Sequence, residues 1–117
     1  MFKEILKEIA KKVEGIKGLT LMGIDGIAIE NVSVDASVDI EKMGVEMSGF
    51  IRKVLELSSY INSGDIHEFH LFFSGYTILI KMVGTGYFLM AVLSPEGNFG
   101  KARYYLKRGA ELVEKEL

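Results

Sequence analysis

Two histidines are the side chains of this sequence that most readily suggest metal chemistry. His67 and His70 stand three positions apart in an apolar stretch. Residues three apart on a strand point to opposite faces of the sheet, so these two imidazoles cannot bind one metal ion together. A zinc site would also need cysteine or clustered carboxylate ligands, and the chain contains no cysteine. We therefore expect ordinary strand histidines, with no metal and no other cofactor.

The segment PEGNFGKA, from Pro95 to Ala102, is similar to a phosphate-binding loop. A true P-loop has a glycine, four residues, Gly-Lys and then serine or threonine. Here Pro95 takes the place of the first glycine, and Ala102 takes the place of the hydroxyl that binds magnesium. No serine stands in a nucleophile-elbow context, and no set of histidine, carboxylate and nucleophile stands out. The sequence therefore predicts a protein that is not an enzyme.

Length and composition restrict the class of partner. The 117 residues suit one domain spanning residues 1–117. A net charge of −2 provides no field that would attract nucleic acid. No apolar run approaches the roughly 18 residues of a membrane span, and the start, MFKEILKEIAKK, lacks the apolar core of a signal peptide. Together with the absence of cysteine, this predicts a cytoplasmic protein without membrane insertion.

The first part of the chain predicts a helix followed by a hairpin. Apolar residues recur every three or four positions from Phe2 to Val13, which is typical of one helical face. We expect Gly15 and Gly18 to end this helix. The Asp25-Gly26 pair separates two apolar runs, Leu19–Ile24 and Ile27–Val32. Asp-Gly in this position is a strong hairpin signal, because both turn residues of the favoured turn type have positive φ.

The remaining chain predicts a central helix, three strands and a last helix. The central helix covers Asp39 to Asn62, with Asp39 as its N-cap. The strands are Ile66–Phe73, Tyr76–Val83 and Tyr87–Leu93, and Asn98 is expected to cap the last helix. The order α-β-β-α-β-β-β-α indicates an α/β (α+β) fold, with one five-stranded antiparallel sheet and helices on both faces. The latter two strands are apolar at nearly every position, as expected of strands covered on both sides.

The central helix has a broader uncharged arc than a helix facing one core requires. One stripe follows a 4-3-4-3-4 spacing and is expected to lie on the sheet: Met43, Met47, Phe50, Val54, Leu57 and Ile61. A second flank is small or aliphatic: Gly44, Ser48, Ile51, Leu55, Ser58 and Ser59. Either the whole arc is buried within one chain, or the second flank meets the same helix of a second subunit.

The strand Ile66–Phe73 favours the second interpretation. His67, Glu68 and His70 place polar residues in an otherwise apolar strand, which is typical of a sheet edge. An edge strand can pair with its own copy. We therefore predict that Ile66, His67, Glu68 and His70 join the second flank in a dimer interface.

Two charged surfaces remain for other partners. The back of the central helix is predicted to dock a partner through Lys42, Glu46, Arg52, Lys53 and Glu56. A basic cluster near the start of the last helix contains Lys101, Arg103, Lys107 and Arg108. This cluster is either a solvated face or a contact for an acidic partner or a phosphate, since cations are unfavourable near a helix N-terminus.

Two stretches of the sequence carry a family resemblance: VEGIKGLTLMGIDGIAIE, from Val13 to Glu30, and SPEGNFGKARYYLKR, from Ser94 to Arg108. Together with the element order, they resemble the Roadblock family, whose fold is related to the profilin and longin folds. The resemblance implies a homodimer in which the second helices pack side by side and the third strands pair. It implies no active site of its own, and a role in regulating or scaffolding a small Ras-like GTPase.

Two alternatives stay open beside this resemblance. Small α/β modules often hold ligands, so the chain could be a small-ligand-binding sensor, which predicts a sizeable internal pocket. It could also be a general scaffold domain of a signalling or motility complex.

Overall fold

The computed structural model describes residues 1–117 and consists of one five-stranded sheet with three helices packed on its two faces. The elements are α1 Phe2–Lys12, β1 Ile16–Gly23, β2 Ala28–Ser33, α2 Ile40–Ile61, β3 Glu68–Phe72, β4 Thr77–Val83, β5 Tyr87–Leu93 and α3 Phe99–Glu116. The strands form one antiparallel sheet in the order β2-β1-β5-β4-β3. The predicted element order and fold class are confirmed, and β3 is an edge strand as expected.

The two faces of the sheet bury separate apolar cores. On one face, Leu19 and Leu89 pack with Leu6 of α1 and Leu106 of α3. On the other face, α2 covers a set of large side chains: Met22, Ile80, Met82, Phe88 and Met90. Every β4 residue except Lys81 is buried, as is every β5 residue except Tyr87, so the prediction of strands covered on both faces is confirmed.

Two turn predictions were wrong in detail. Gly15 does follow the end of α1 with a φ of +93°, but Gly18 lies inside β1. A Cβ at Gly18 would stand 3.2 Å from Cβ of Ile40, so a side chain at this position would press against the start of α2. In the Asp25-Gly26 turn only Gly26 has a positive φ. Asp25 instead accepts a hydrogen bond from the Ile27 amide at 3.1 Å, which is the short-range turn chemistry of aspartate.

The predicted helix caps are confirmed. Asp39 Oδ1 accepts a hydrogen bond from the Lys42 amide at 3.1 Å, and Asn98 Oδ1 accepts one from the Lys101 amide at 3.0 Å. Asn62 ends α2 in the left-handed conformation, with a φ of 52°, a position that asparagine tolerates better than most residues. None of the three helices combines the length and the apolar character that crossing a membrane requires.

Candidate interaction surface

The flank of α2 that was predicted to meet a second subunit lies largely against the chain's own sheet. Gly44, Ser48 and Ile51 are all buried. A Cβ added to Gly44 would stand 2.8 Å from the Cε of Met22, so the helix approaches β1 closely at this glycine. The prediction that these three residues form an intersubunit contact was wrong, because the sheet and the β1–β2 hairpin already cover them.

The size of the side chains on the sheet explains this orientation. The sheet face under α2 carries methionine and phenylalanine side chains, including Met22, Phe88 and Met90. These large groups fill much of the layer between sheet and helix, where Gly44 and Ser48 allow a close approach beside the larger Met47 and Ile51. Ser48 also packs closely against the hairpin, because a Cβ at Gly26 would stand 3.2 Å from its Oγ.

The rest of that flank rises out of the core toward the end of the helix. Leu55 and Ser58 are half-buried, and Ser59 is exposed. Ser58 Oγ donates to the Leu55 carbonyl at 2.8 Å, so its hydroxyl is already satisfied. That Leu55, Ser58 and Ser59 contribute to a dimer interface stays a prediction.

The stripe that was expected to lie on the sheet is instead partly exposed. Phe50, Leu57 and Ile61 are 44%, 55% and 61% exposed, and we call these three residues the exposed stripe. Met47 on the same side is buried, and Met43 and Val54 are half-buried. Large apolar side chains aligned on one helix side and left open to water mark a contact surface.

The exposed stripe continues onto the free edge of the sheet. The ring of Phe50 meets that of Phe69 in β3 edge to face, with 5.7 Å between centroids. No strand lies beyond β3, so the outer side of its backbone has no partner strand. Phe72 at the end of this strand and Phe73 just after it are 67% and 57% exposed. The Phe72 ring also lies 4.9 Å from the ring of Phe99. An apolar helix side and an unpaired strand edge therefore lie next to each other.

On the α3 side of β3, Glu68 holds a small polar cluster together. Its Oε2 accepts hydrogen bonds from Arg103 Nε at 2.5 Å and from His70 Nε2 at 2.7 Å. The Arg103 contact, aided by His70 and opposed by partial burial, lowers the pKa of Glu68 from 4.5 to about 2. The His70 ring also meets Phe99 edge to face at 5.0 Å. Glu68 and His70 thus tie the edge strand to α3.

The other predicted interface residues of this region differ from Glu68 and His70. His67 is exposed, and Ile66 is half-buried against the core under α2. The residues Ile66, His67, Glu68 and His70 do lie along one edge of the sheet. Whether they meet a second subunit stays a prediction.

The charged back of α2 is open to solvent. All five residues predicted for partner docking are exposed: Lys42, Glu46, Arg52, Lys53 and Glu56. Arg52 has a structural contact too, since its Nη1 donates to the Ile24 carbonyl at 2.5 Å and so holds the hairpin against the helix. Lys53 and Glu56 approach to 3.9 Å on the surface, a contact that contributes little stability.

The basic cluster of α3 divides into two engaged and two free side chains. Arg103 binds Glu68, and the Arg108 guanidinium lies 5.8 Å from the centre of the Tyr104 ring. Lys101 and Lys107 are exposed and stand in no ion pair. The four residues therefore do not form one converging site.

Comparisons with known proteins place this fold. No protein-family model and no curated protein sequence matches the chain. Among solved structures, a Roadblock/LC7 domain from Streptomyces avermitilis aligns over 97% of this chain and 95% of its own, with a TM-score of 0.87 and 14% identity. The chain thus has the Roadblock/LC7 fold, in agreement with the resemblance found in its sequence.

Two proteins of Myxococcus xanthus show the same likeness. MglB aligns over 97% of this chain and 85% of its own, with a TM-score of 0.89 and 14% identity. MglC aligns over 97% of both chains, with a TM-score of 0.70 and 28% identity.

Proposed function

We propose that this protein is a non-enzymatic homodimeric module that regulates or scaffolds a small Ras-like GTPase. The observation that supports the dimer is the exposed stripe of α2 lying beside the unpaired edge of β3. The Roadblock/LC7 fold and the likeness to MglB and MglC support the GTPase.

A two-fold axis perpendicular to the sheet lets the exposed stripe and the unpaired edge of β3 each meet its own copy in one dimer. It places the two α2 helices on the same side of the joined sheets, where their exposed stripes meet. It also sets β3 antiparallel to its copy, which supplies the missing backbone partners. Because a two-fold interface uses the same patch twice, each residue of the stripe contributes two times.

Burial of the exposed stripes in a dimer gains enough free energy to offset the cost of association. Complete burial of a leucine, isoleucine or phenylalanine side chain contributes about 1.5–3 kcal/mol, and roughly half of that remains to be gained by each half-exposed member of the stripe. Six such side chains from two copies, with added strand pairing, offset the several kcal/mol that association costs in lost freedom.

The charged back of α2 is then the docking surface for the GTPase. In the dimer the two backs face outward on the same side, next to each other. This surface carries alternating charges from Lys42, Glu46, Lys53 and Glu56. Such a pattern selects one orientation of the bound partner more than it raises the binding affinity. Arg52 is less available, because it holds Ile24.

The GTPase proposal is tested with small Ras-like GTPases from the same genome, loaded with GDP or GTP. We expect binding to at least one of them, with a change in its hydrolysis or exchange rate if the module regulates rather than scaffolds. The double variant Glu46→Lys, Lys53→Glu should weaken that binding at least tenfold. A control, Glu8→Lys, Lys12→Glu, changes an exposed pair on α1, on the opposite face, and should have no effect. Absence of binding to every GTPase would contradict the proposal.

The ligand-sensor alternative finds no specific support. It predicts a sizeable internal pocket, whereas the two cores are filled by apolar side chains. The cavities of the chain are open depressions at its surface.

A further inference from the structure

The solvent side of α3 carries a stripe of cations with a tyrosine and a leucine between them. Its members recur with a 3-4-4-3 spacing, and we call them the basic stripe: Lys101, Tyr104, Arg108, Leu112 and Lys115. Tyr104 and Leu112 are 54% and 48% exposed, which is unusual for large side chains unless they meet another surface.

The cations of the basic stripe have no carboxylate partner. None of the three stands in an ion pair. Arg108 Nη1 donates to the hydroxyl of Tyr104 at 3.2 Å, so the guanidinium and the ring stand together. Glu111 acts on Arg108 only from beyond ion-pair distance, because Glu111 and Glu114 lie toward β3, where they line an open depression. The basic stripe therefore presents unpaired positive charge around two exposed apolar side chains.

Negative charge is concentrated at the β2 edge of the sheet. From Gly18 to Glu41 the chain has five carboxylates and neither lysine nor arginine. We call these residues the acidic edge: Asp25, Glu30, Asp35, Asp39 and Glu41. Apolar side chains are exposed among them, with Ile27 68% and Val34 56% open to solvent. Ile27 also lines an open depression of about 460 Å³ with Ile29, Glu30 and Glu41.

Only part of this negative charge is compensated within the chain. Lysines of α1 and β1 approach Glu30 to 3.6 Å and Asp35 to 3.5 Å. The remaining carboxylates, Asp25, Asp39 and Glu41, are exposed and stand in no ion pair. The acidic edge and the basic stripe thus have the same composition, exposed apolar groups among unpaired charges, with opposite sign.

The two surfaces cannot meet within one chain, because α3 packs on β4 and β5 whereas β2 is the far edge strand. Like charges make each surface repel its own copy, which disfavours a two-fold contact through either one. Surfaces of opposite sign on two copies attract each other, and the exposed apolar side chains add contact area. We propose that the basic stripe of one copy binds the acidic edge of another copy.

A contact between unlike surfaces repeats from copy to copy and builds an open chain. It uses neither the β3 edge nor α2, so it rests on neither the proposed dimer nor the proposed GTPase. In the proposed dimer both surfaces stay open, and dimers would join into longer assemblies. Exposed ion pairs are weak and screened by salt, so the contact forms at high protein concentration and low ionic strength.

Sedimentation velocity of the wild type at two ionic strengths tests the contact first. We compare about 20 mM with about 500 mM NaCl at about 0.5 mM protein, since the screening length falls from roughly 20 Å to roughly 4 Å between these salts. We expect species larger than a dimer at low salt and their loss at high salt.

Charge reversal identifies the surfaces. The stripe variant, Lys101→Glu with Arg108→Glu, and the edge variant, Glu30→Lys with Glu41→Lys, should each weaken the assembly by about tenfold or more, because each brings like charges together. An equal mixture of the two variants should assemble again, because the reversed stripe of one then meets the reversed edge of the other. Circular dichroism verifies that each variant is folded.

Two further variants complete the design. Lys42→Glu with Lys53→Glu on α2 changes the net charge as much as the stripe variant does and should still assemble. Ile27→Ser changes no charge and should weaken the assembly even if the edge variant fails to fold.

A wild type that never exceeds a dimer at low salt would overturn the inference and leave the proposed function standing. A mixture of folded variants that does not assemble would overturn it too. A wild type that is monomeric at high salt but assembles at low salt would support this contact and remove the proposed β3 dimer.

Discussion

At the residue scale, Glu68 has the most distinct environment in the chain. Its carboxylate binds both Arg103 and His70, and its pKa falls from 4.5 to about 2. A lowered carboxyl pKa stabilises the fold at any pH above 4.5. This contribution declines as the pH falls from 4.5 toward 2 and is lost below about 2, where the folded state also binds the proton.

The change Glu68→Gln should therefore destabilise the protein in a pH-dependent way. Hydrogen bonds to a charged group contribute about 1.5–3 kcal/mol, so we expect a loss of about this size at pH 7. Urea unfolding at pH 7, 4.5 and 3 should show the gap from wild type narrowing at the lowest pH. Glu114→Gln, an exposed residue without an ion pair, is the control and should show no such trend. A gap that stays constant down to pH 3 would contradict the role given to this carboxylate.

At the element scale, the first turn of α2 depends on one side chain. Asp39 accepts a hydrogen bond from the Lys42 amide and thereby satisfies one of the unpaired donors of the helix start. Asp39→Ala should reduce the free energy of unfolding by about 0.5–2 kcal/mol, measured by urea unfolding. Asp39→Asn keeps the acceptor and should lose much less. Equal losses for the two variants would show that charge, and not the cap, is responsible.

The elements themselves were predictable, whereas the orientation of α2 was not. Spacing and cap residues located α2 between Asp39 and Asn62, and the long apolar runs identified β4 and β5. The two sides of α2 are both free of charge, so hydrophobicity could not show which of them faces the sheet. Side-chain volume contributes, because the small Gly44 and Ser48 let the helix come close to the methionines on the sheet, beside the larger Met47 and Ile51.

The candidate site was predictable only in part, because some of its contacts leave no local pattern in the sequence. Polar residues in the strand indicated that β3 is an edge, and the structure bears this out. The contact of Glu68 with Arg103 joins residues 35 positions apart and has no local signal. The apolar surface was assigned to the smaller flank of α2, because its small residues suggested close helix contact. In the structure the exposed stripe consists of the larger residues Phe50, Leu57 and Ile61.

At the scale of the whole molecule, the sheet ends in two unlike edges. β2 carries a register shift opposite Leu21 and Met22, an irregularity that disfavours strand addition. β3 pairs regularly with β4 over its full length and lies beside the exposed stripe. The two edges therefore differ in their capacity for self-association, and the dimer is proposed at β3.

Sedimentation equilibrium of the wild type and two variants tests the proposed dimer most directly. We predict a wild-type mass of twice the 13.0 kDa of one chain at micromolar concentration. Leu57→Glu should give folded monomers, because it places a charge in the stripe without touching the core. Val45→Glu changes a similarly exposed apolar residue elsewhere on α2 and should remain dimeric. A wild type that is monomeric throughout, or a Leu57→Glu variant as dimeric as Val45→Glu, would contradict the account.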